Sequence, residues 1–535
     1  MGKRVVYIFF IFSLVMGIAT LRLIDINQSE YAQVGQINSS ISISINQGRG
    51  EIYDCNMKKL VNTQVTYYAA AKPSALALSA LEPYVTASEL ASITDRMSSG
   101  HPVCIKVPVS HIDCEDVTVI STYSRYSENQ TAVHLIGHLD GTSNGVLGIE
   151  KSFNNHLSSA SKKCYVNFPV DARGRVLAGG KVTVKNSTTS QGRGVVTTLN
   201  KDIQSIAENA MKEYNIISGA AVVLETKTGE IKAMVSMPAF NPSRVADYLD
   251  NENSPFINKS LTAYSAGSVF KCVIAAAAVE QRGLEDYRYN CTGSTSINSI
   301  VFNCHKDEGH GLIDFYSAVA HSCNTYFINL AQNIEKETLL RVAQGMGFGT
   351  ETVFAEGIVS SSGNLPKLSE LDSAAAVANL SFGQGSLLTT PIQIAQMTQC
   401  IANNGKLIRP TLINSLVDDN LKVIQEKPKI VPEIVISAET ANKVKDMLVY
   451  TIDYGSGKNA KPKNSTAGGK TATAQTGIYE NGKELLNTWF SGFFPAENPK
   501  YVITIMKEKG RSGSTDCTPV FKQIAEQIIE LEKNK

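Results

Sequence analysis

The sequence predicts an α+β fold built on an antiparallel sheet, and three observations carry that prediction. Ala220 to Glu225 and Glu230 to Val235 read as strands joined by the tight turn Lys227-Thr228-Gly229, a hairpin that can seed a sheet. Thr488 to Phe494 and Tyr501 to Met506 read as further strands near the other end of the region. Between them Cys272 to Gln281 is Ala-rich and apolar, with no Gly or Pro before Gly283, which predicts a buried helix opening close to Ser268. Strands at both ends with apolar helices in the middle imply a sheet completed by the C-terminal segments. Thr198 to Tyr214 and Pro519 to Glu532 read as flanking helices, and no internal repeat is present.

At 535 residues the length suggests about three domains. A composition of 43% apolar and 19% charged residues is that of globular material, and a net charge of +1 argues against a nucleic-acid partner. The N-terminus departs from this average. Lys3 and Arg4 precede an uncharged apolar run from Val5 to Leu21, which as a helix would extend about 25 Å. The flanking positive charges favour a cytoplasmic N-terminus and an exported remainder, hence a single-pass protein of the cell membrane with its bulk outside the cytoplasm. Gly17-Ile18-Ala19 offers a competing reading as a signal-peptide cleavage site. Aromatic and branched residues persist through the run and Arg22 flanks it, which favours an uncleaved anchor over residues 1–22.

From Asp25 to about Gly194 the chain is a mosaic of short strand-like runs, such as Ile41 to Ile45 and Tyr165 to Val170, with polar helices between them. Gly179-Gly180 and Asn186 to Gly194 mark a linker or hairpin, so the expected boundary separates 23–194 from 195–535. Export would permit disulfides among the ten cysteines. Cys291 and Cys304, bracketing the polar stretch Thr292 to Asn303, are the expected pair. The other eight have no spacing that reads as a metal site and read as single buried thiols, and no metal or cofactor is expected.

Ser268-Val269-Phe270-Lys271 places a hydroxyl nucleophile and a candidate proton acceptor on one helix face, Ser268 near the positive end of the helix dipole and Lys271 pointing toward its hydroxyl. A second Ser-x-x-Lys, Ser159 to Lys162, lies in a polar run and reads as solvated surface. An acylating serine also needs a proton relay and oxyanion donors. Ser322-Cys323-Asn324 follows 54 residues after Ser268, and Lys470-Thr471-Ala472-Thr473 follows Gly468-Gly469. Their order matches the Ser-x-x-Lys, Ser-x-Asn and Lys-Thr-Gly set of penicillin-recognising enzymes. Other Ser-x-Asn triplets, at Ser44, Ser296 and Ser362, show that the triplet alone is weak. Lys227-Thr228-Gly229 precedes the nucleophile and reads as a decoy.

Flanking residues extend the match. Arg49-Gly50-Glu51-Ile52-Tyr53-Asp54, Gly148-Ile149-Glu150, Asp171-Ala172-Arg173-Gly174, Gly311 after His310, Ser381 to Gly385 before Thr390-Pro391, and Trp489 to Phe493 with Pro495 occur in order. With these the chain resembles class B penicillin-binding proteins, the monofunctional peptidoglycan transpeptidases, over nearly its whole length. The resemblance implies a penicillin-binding/β-lactamase-like transpeptidase domain preceded by an anchor and an elongated α+β pedestal, and the Cys291 and Cys304 positions also occur in that family. It implies a serine D,D-transpeptidase in which Ser268 attacks the stem peptide, Lys271 is the base and Ser322 relays a proton. Asn324 would hold Lys271 and the substrate amide, while Lys470, Thr471 and Thr473 bind the terminal carboxylate. The backbone N–H groups of Ser268 and Thr473 would form the oxyanion hole. β-Lactams would acylate the same serine.

Two departures matter. Ala472 stands where the family has Gly, which predicts a narrowed site and altered β-lactam preference, and Ala266 replaces a common Pro, which predicts a looser turn. The rival readings are a serine β-lactamase or β-lactam sensor, and an inactive cell-wall scaffold. Against the lactamase stand the pedestal-like first third and the lack of a Glu-x-x-Leu-Asn type motif between Asn324 and Lys470. No glycosyltransferase region is apparent, so a membrane-embedded glycan polymerase is the expected partner, and no C-terminal wall-binding module is expected.

Overall fold

The computed structural model describes residues 2–28, 40–46, 49–158, 164–171, 173–177, 179–186 and 193–534. The second Ser-x-x-Lys and Ala172 lie outside these residues. Contacts divide the chain into two units. The smaller takes in 1–49, 62–125 and 159–190, and the larger takes in 50–61, 126–158 and 191–535. The segments 50–61 and 126–158, which the sequence placed with the first domain, therefore pack with the larger unit.

In the smaller unit Gln64–Ala71 is the central strand between Val103–Val107 and Val117–Ser124. Strand alternation divides its alanines between two cores. Ala69 and Ala71 face Leu81, Ile93 and Met97 of helices Ala75–Leu81 and Ala87–Ser98. Ala70 faces Val166 and Phe168 of a second sheet formed by Ser40–Asn46, Cys164–Pro169 and Thr183–Asn186. The N-terminal helix Gly2–Gln28 contains a stretch, Gly2–Asp25, long and apolar enough to cross a membrane, and none of that stretch is buried.

In the larger unit five antiparallel strands run in the order Ile231–Met237, Gly219–Glu225, Tyr501–Lys507, Lys483–Phe494, Gly468–Glu480. The predicted hairpin and C-terminal strands are present, with Tyr501–Lys507 pairing directly on Gly219–Glu225. The sheet separates two cores. Ala221, Val223, Ile503 and Ile505 face helices Lys201–Glu213 and Thr518–Lys533. Val222, Leu224, Val502 and Met506 face the helical layer that includes Lys271–Gln281, where every residue from Lys271 to Val279 is buried. That burial explains the Ala-rich composition, since small side chains let the helix sit in the middle of the layer.

The segment around Asp54 has a defined task in this unit. Glu51–Tyr53 pairs in parallel with Gly194–Thr197. The buried Asp54 carboxylate accepts the N–H groups of Asn56, Lys58 and Lys201. It thereby satisfies a free donor at the start of helix Lys201–Glu213, where negative charge is favoured.

One close backbone approach fixes the turn ahead of Ser268. Gly267 (φ +60°) donates its N–H to Gly383 O at 2.9 Å, and a Cβ on Gly383 (φ +77°) would lie 1.9 Å from Gly267 O. Gly383→Ala is expected to lower stability by about 2 kcal/mol or more, read as a fall in the thermal midpoint of the full chain. Gly357→Ala, with the same φ but nothing within 4 Å of the new methyl, should cost only about 1 kcal/mol. Equal costs would show that the contact with Gly267 is not restrictive.

Candidate active site

Ser268 lies in the 3-10 turn Gly267–Phe270, which runs directly into helix Lys271–Gln281, as the sequence predicts. Two contacts besides Gly383 hold that turn. A Cβ on Gly267 would meet the Ala474 methyl of the edge strand at 2.9 Å, and the indole N–H of Trp489 donates to Ser265 O at 3.2 Å. Ala266 adopts φ −71°, within the range a proline ring would impose, so its replacement of Pro leaves the turn conformation unchanged.

Lys271 is 0% exposed, and its amine is bonded to the Ser322 turn. Nζ donates to Ser322 O at 2.7 Å, to Asn324 Oδ1 at 2.7 Å and to Ser322 Oγ at 3.2 Å. No hydrogen bond joins Lys271 to Ser268 among the described residues. Burial, reinforced by the charge of nearby Lys470, holds the Lys271 amine well below the ordinary lysine range. In the neutral form two N–H bonds satisfy the two carbonyl oxygens. The third contact can then reverse, with the Ser322 hydroxyl donating to the nitrogen lone pair. The amine is thus placed to exchange a proton with Ser322.

Local chain geometry explains how Ser322 reaches that position. Helix Phe315–Ala320 ends with the N–H of Cys323 bonded to Ala318 O and that of Ser322 bonded to Val319 O, a Schellman arrangement. Ser322 occupies the left-handed position usually given to glycine, at φ +56°. Helix Asn324–Ala331 starts two residues later, so Ser322, Cys323 and Asn324 form a strained joint between helices.

Gly468–Glu480 brings Lys470, Thr471 and Thr473 to this layer as the edge strand of the sheet, paired only with Lys483–Phe494. Lys470 is 1% exposed and donates to Thr471 O at 2.9 Å. Burial pulls its amine down to about 8. Thr471 Oγ1 lies 2.7 Å from Ser456 Oγ, and the exposed Thr473 accepts from Gly513 N–H at 3.3 Å. Two amines beside an open strand edge suit a ligand that carries a carboxylate and an extended peptide. Ala472 is 3% exposed and packs in the apolar core that holds Ala474 and Trp489. The extra methyl is therefore absorbed by the core and does not narrow an open cleft. Lys227-Thr228-Gly229 closes its hairpin against Ile408 and Asn403, as expected of a decoy.

The cysteine expectations need correction. All ten cysteines are free, including Cys291 and Cys304. The ligand atoms of Cys291, Cys304, His310 and Cys323 instead lie within 4.8 Å of one another. This group was missed because twelve, five and twelve residues separate positions 291, 304, 310 and 323, with no Cys-x₂₋₄-Cys pair. Cys323 was on view as the middle residue of the Ser322 triplet, but nothing in the sequence joins it to the other three.

Residues 219–526 match the penicillin binding protein transpeptidase domain. The chain is 30% identical over 410 residues to stage V sporulation protein D of Bacillus subtilis, covering 73% of this chain and 61% of that protein. It is 28% identical over 457 residues to penicillin-binding protein PbpB of Mycobacterium tuberculosis, covering 80% of this chain and 64% of that protein. The chain thus spans under two thirds of the length of these two relatives. Among solved structures it is similar to penicillin binding protein 3 of Mycobacterium tuberculosis complexed with aztreonam, with a TM-score of 0.66, 24% identity, and coverage of 91% of this chain and 96% of that one. With the fold shared and the family match spanning more than half of the sequence, the chain belongs to the penicillin-binding protein transpeptidase family.

Proposed function

We propose that this protein is a serine D,D-transpeptidase that crosslinks peptidoglycan stem peptides through an acyl-enzyme on Ser268. The observation that carries the reading is the buried Lys271 amine, held by Ser322 and Asn324 one helical turn from Ser268. A buried lysine whose amine titrates well below the ordinary lysine range is a competent base. Ser268 Oγ attacks the carbonyl between the terminal D-alanines and its proton passes to Lys271. The N–H groups of Ser268 and Thr473 carry the developing oxyanion. Expulsion of the terminal D-alanine takes a proton from Ser322, which Lys271 replenishes. An amine of a neighbouring stem peptide then attacks the ester and restores the serine.

Asn324 orients Lys271 and holds the substrate amide, while Lys470, Thr471 and Thr473 hold the terminal carboxylate. A β-lactam carries an acidic group and a strained amide in the same relation, so it acylates Ser268 and lingers. The relative whose structure holds aztreonam supports this inhibitor class.

We also propose a cellular setting. The apolar helix Gly2–Gln28 anchors the chain in the cell membrane as a single pass, with Lys3 and Arg4 on the cytoplasmic side and the catalytic unit outside. An anchored crosslinking enzyme needs nascent glycan beside it, which makes a membrane glycan polymerase the fitting partner.

Labelling the full chain with a fluorescent penicillin tests the central reading. Wild type should label, Ser268→Ala should abolish the adduct, and Lys271→Ala should slow acylation by about 10²–10⁴-fold. An unlabelled wild type, or an adduct that survives Ser268→Ala, would sink the proposal.

The pH profile gives a second check. Acylation should rise as Lys271 loses its proton, in a range well below that of free lysine, and fall above about 8 as Lys470 loses the charge that holds the carboxylate. Lys470→Met should lower the rate and remove the alkaline fall. A rate that only begins to rise where ordinary lysines titrate would assign the base elsewhere.

A further inference from the structure

The structure assigns a zinc site to Cys291, Cys304, His310 and Cys323, built into the turn that carries Ser322 and Asn324. Three of its ligand-to-ligand distances are those of tetrahedral coordination, and all four ligand atoms lie within 4.8 Å of one another. Ligands at about 2.3 Å (sulfur) and about 2.05 Å (nitrogen) from a tetrahedral zinc ion stand about 3.8 Å apart for a sulfur pair and about 3.5 Å apart for sulfur and nitrogen. Cys304 Sγ lies 3.8 Å from Cys323 Sγ, and His310 Nδ1 lies 3.6 Å from Cys291 Sγ and 3.5 Å from Cys304 Sγ. Three thiolates and one imidazole in this geometry select zinc among the common divalent ions.

The surroundings are also those of a metal site. All three cysteines are buried, whereas His310 is partly exposed and leaves a route for the ion. Thr325 donates its hydroxyl to Cys291 Sγ at 3.1 Å, an outer contact that favours the thiolate. The hairpin Ser294–Ile297 and Ile300–Asn303 folds out between the first two ligands, and Cys304 N–H returns to Gly293 O at 2.7 Å. A Cβ on Gly293 would lie 1.9 Å from Asp307 O, and one on Gly309 would lie 2.1 Å from Cys291 O. Only glycines allow the backbone to close this tightly around the sulfurs. A Cys291–Cys304 disulfide would need the two sulfurs at about 2.0 Å and would use neither His310 nor Cys323.

On binding, the three thiols release their protons to solvent and the ion links Cys323 to the segments 289–291 and 300–313. Cys323 is thereby a positioning residue. Its bond to zinc holds the strained Ser322 turn and the start of helix Asn324–Ala331, the two places from which Lys271 takes its acceptors. This last step rests on the acyl-transfer reading, whereas metal binding does not.

The test uses the full chain purified in detergent without chelator. Elemental analysis should find one zinc per chain in wild type and none in Cys304→Ser. Thr325→Val, which keeps the side-chain shape, should fold and weaken zinc binding about 10–100-fold. Cobalt added after chelation should give the absorption of a tetrahedral thiolate complex. Zinc-free wild type containing a Cys291–Cys304 disulfide, or cobalt spectra of a six-coordinate ion, would overturn the site. Removing zinc should slow penicillin acylation at least about tenfold, with recovery on adding it back. Acylation unchanged by removal would overturn the positioning role alone, and zinc-loaded protein that never acylates would overturn the enzymatic reading while the site stands.

Discussion

The contact on which the site depends is the seat of the Lys271 amine between Ser322 O and Asn324 Oδ1. An amine buried this deeply tolerates charge only at a high cost, so the fold has to give it strong acceptors and keep them in place. Both acceptors come from one short joint between two helices, and the joint itself is strained at Ser322. A strained residue persists only when its neighbours over-determine it. Here the neighbours are the Schellman bonds to Ala318 and Val319, the lysine, and the sulfur cluster that includes Cys323. The Ser268 turn and the Lys271 amine are thus held by different supports, one through Gly383 and Trp489 and the other through the Ser322 joint.

Much of the fold was legible because pattern and packing agree. The hairpin, the C-terminal strands and the Ala-rich helix each carry a local signal, and each forms near its expected bounds. The strand Gly468–Glu480 was visible only as a motif. Its Gly-Gly-Lys-Thr-Ala-Thr stretch lacks apolar alternation because the cores on either side accept a lysine stem and small residues there. The interruption of the smaller unit by 50–61 and 126–158 was not legible at all, since strand Glu51–Tyr53 finds its partner at Gly194–Thr197.

The site shows the same division. Order and spacing nominate its residues, but the acceptors of the Lys271 amine are not legible in them. Helical spacing places Lys271 and Ser268 on one face, and the bonds of the lysine amine go to acceptors more than fifty residues away in sequence. The sulfur cluster was hidden for a related reason. Its ligands come from a strand end, a hairpin exit, a loop and a helix cap, and only the folded backbone brings them together.

Ala472 shows how the edge strand divides its work. Along Lys470 to Ala474 the buried positions 470, 472 and 474 share one face of the strand, where Ala474 touches the Gly267 turn. A methyl at 472 joins that apolar contact, next to Trp489 on the neighbouring strand, whose indole secures Ser265. The methyl therefore lies in the layer beneath Ser268, and Thr473, on the opposite face, is exposed. A residue that looks like an intrusion when the motif is read in isolation is, in the packed layer, part of what holds the nucleophile's turn.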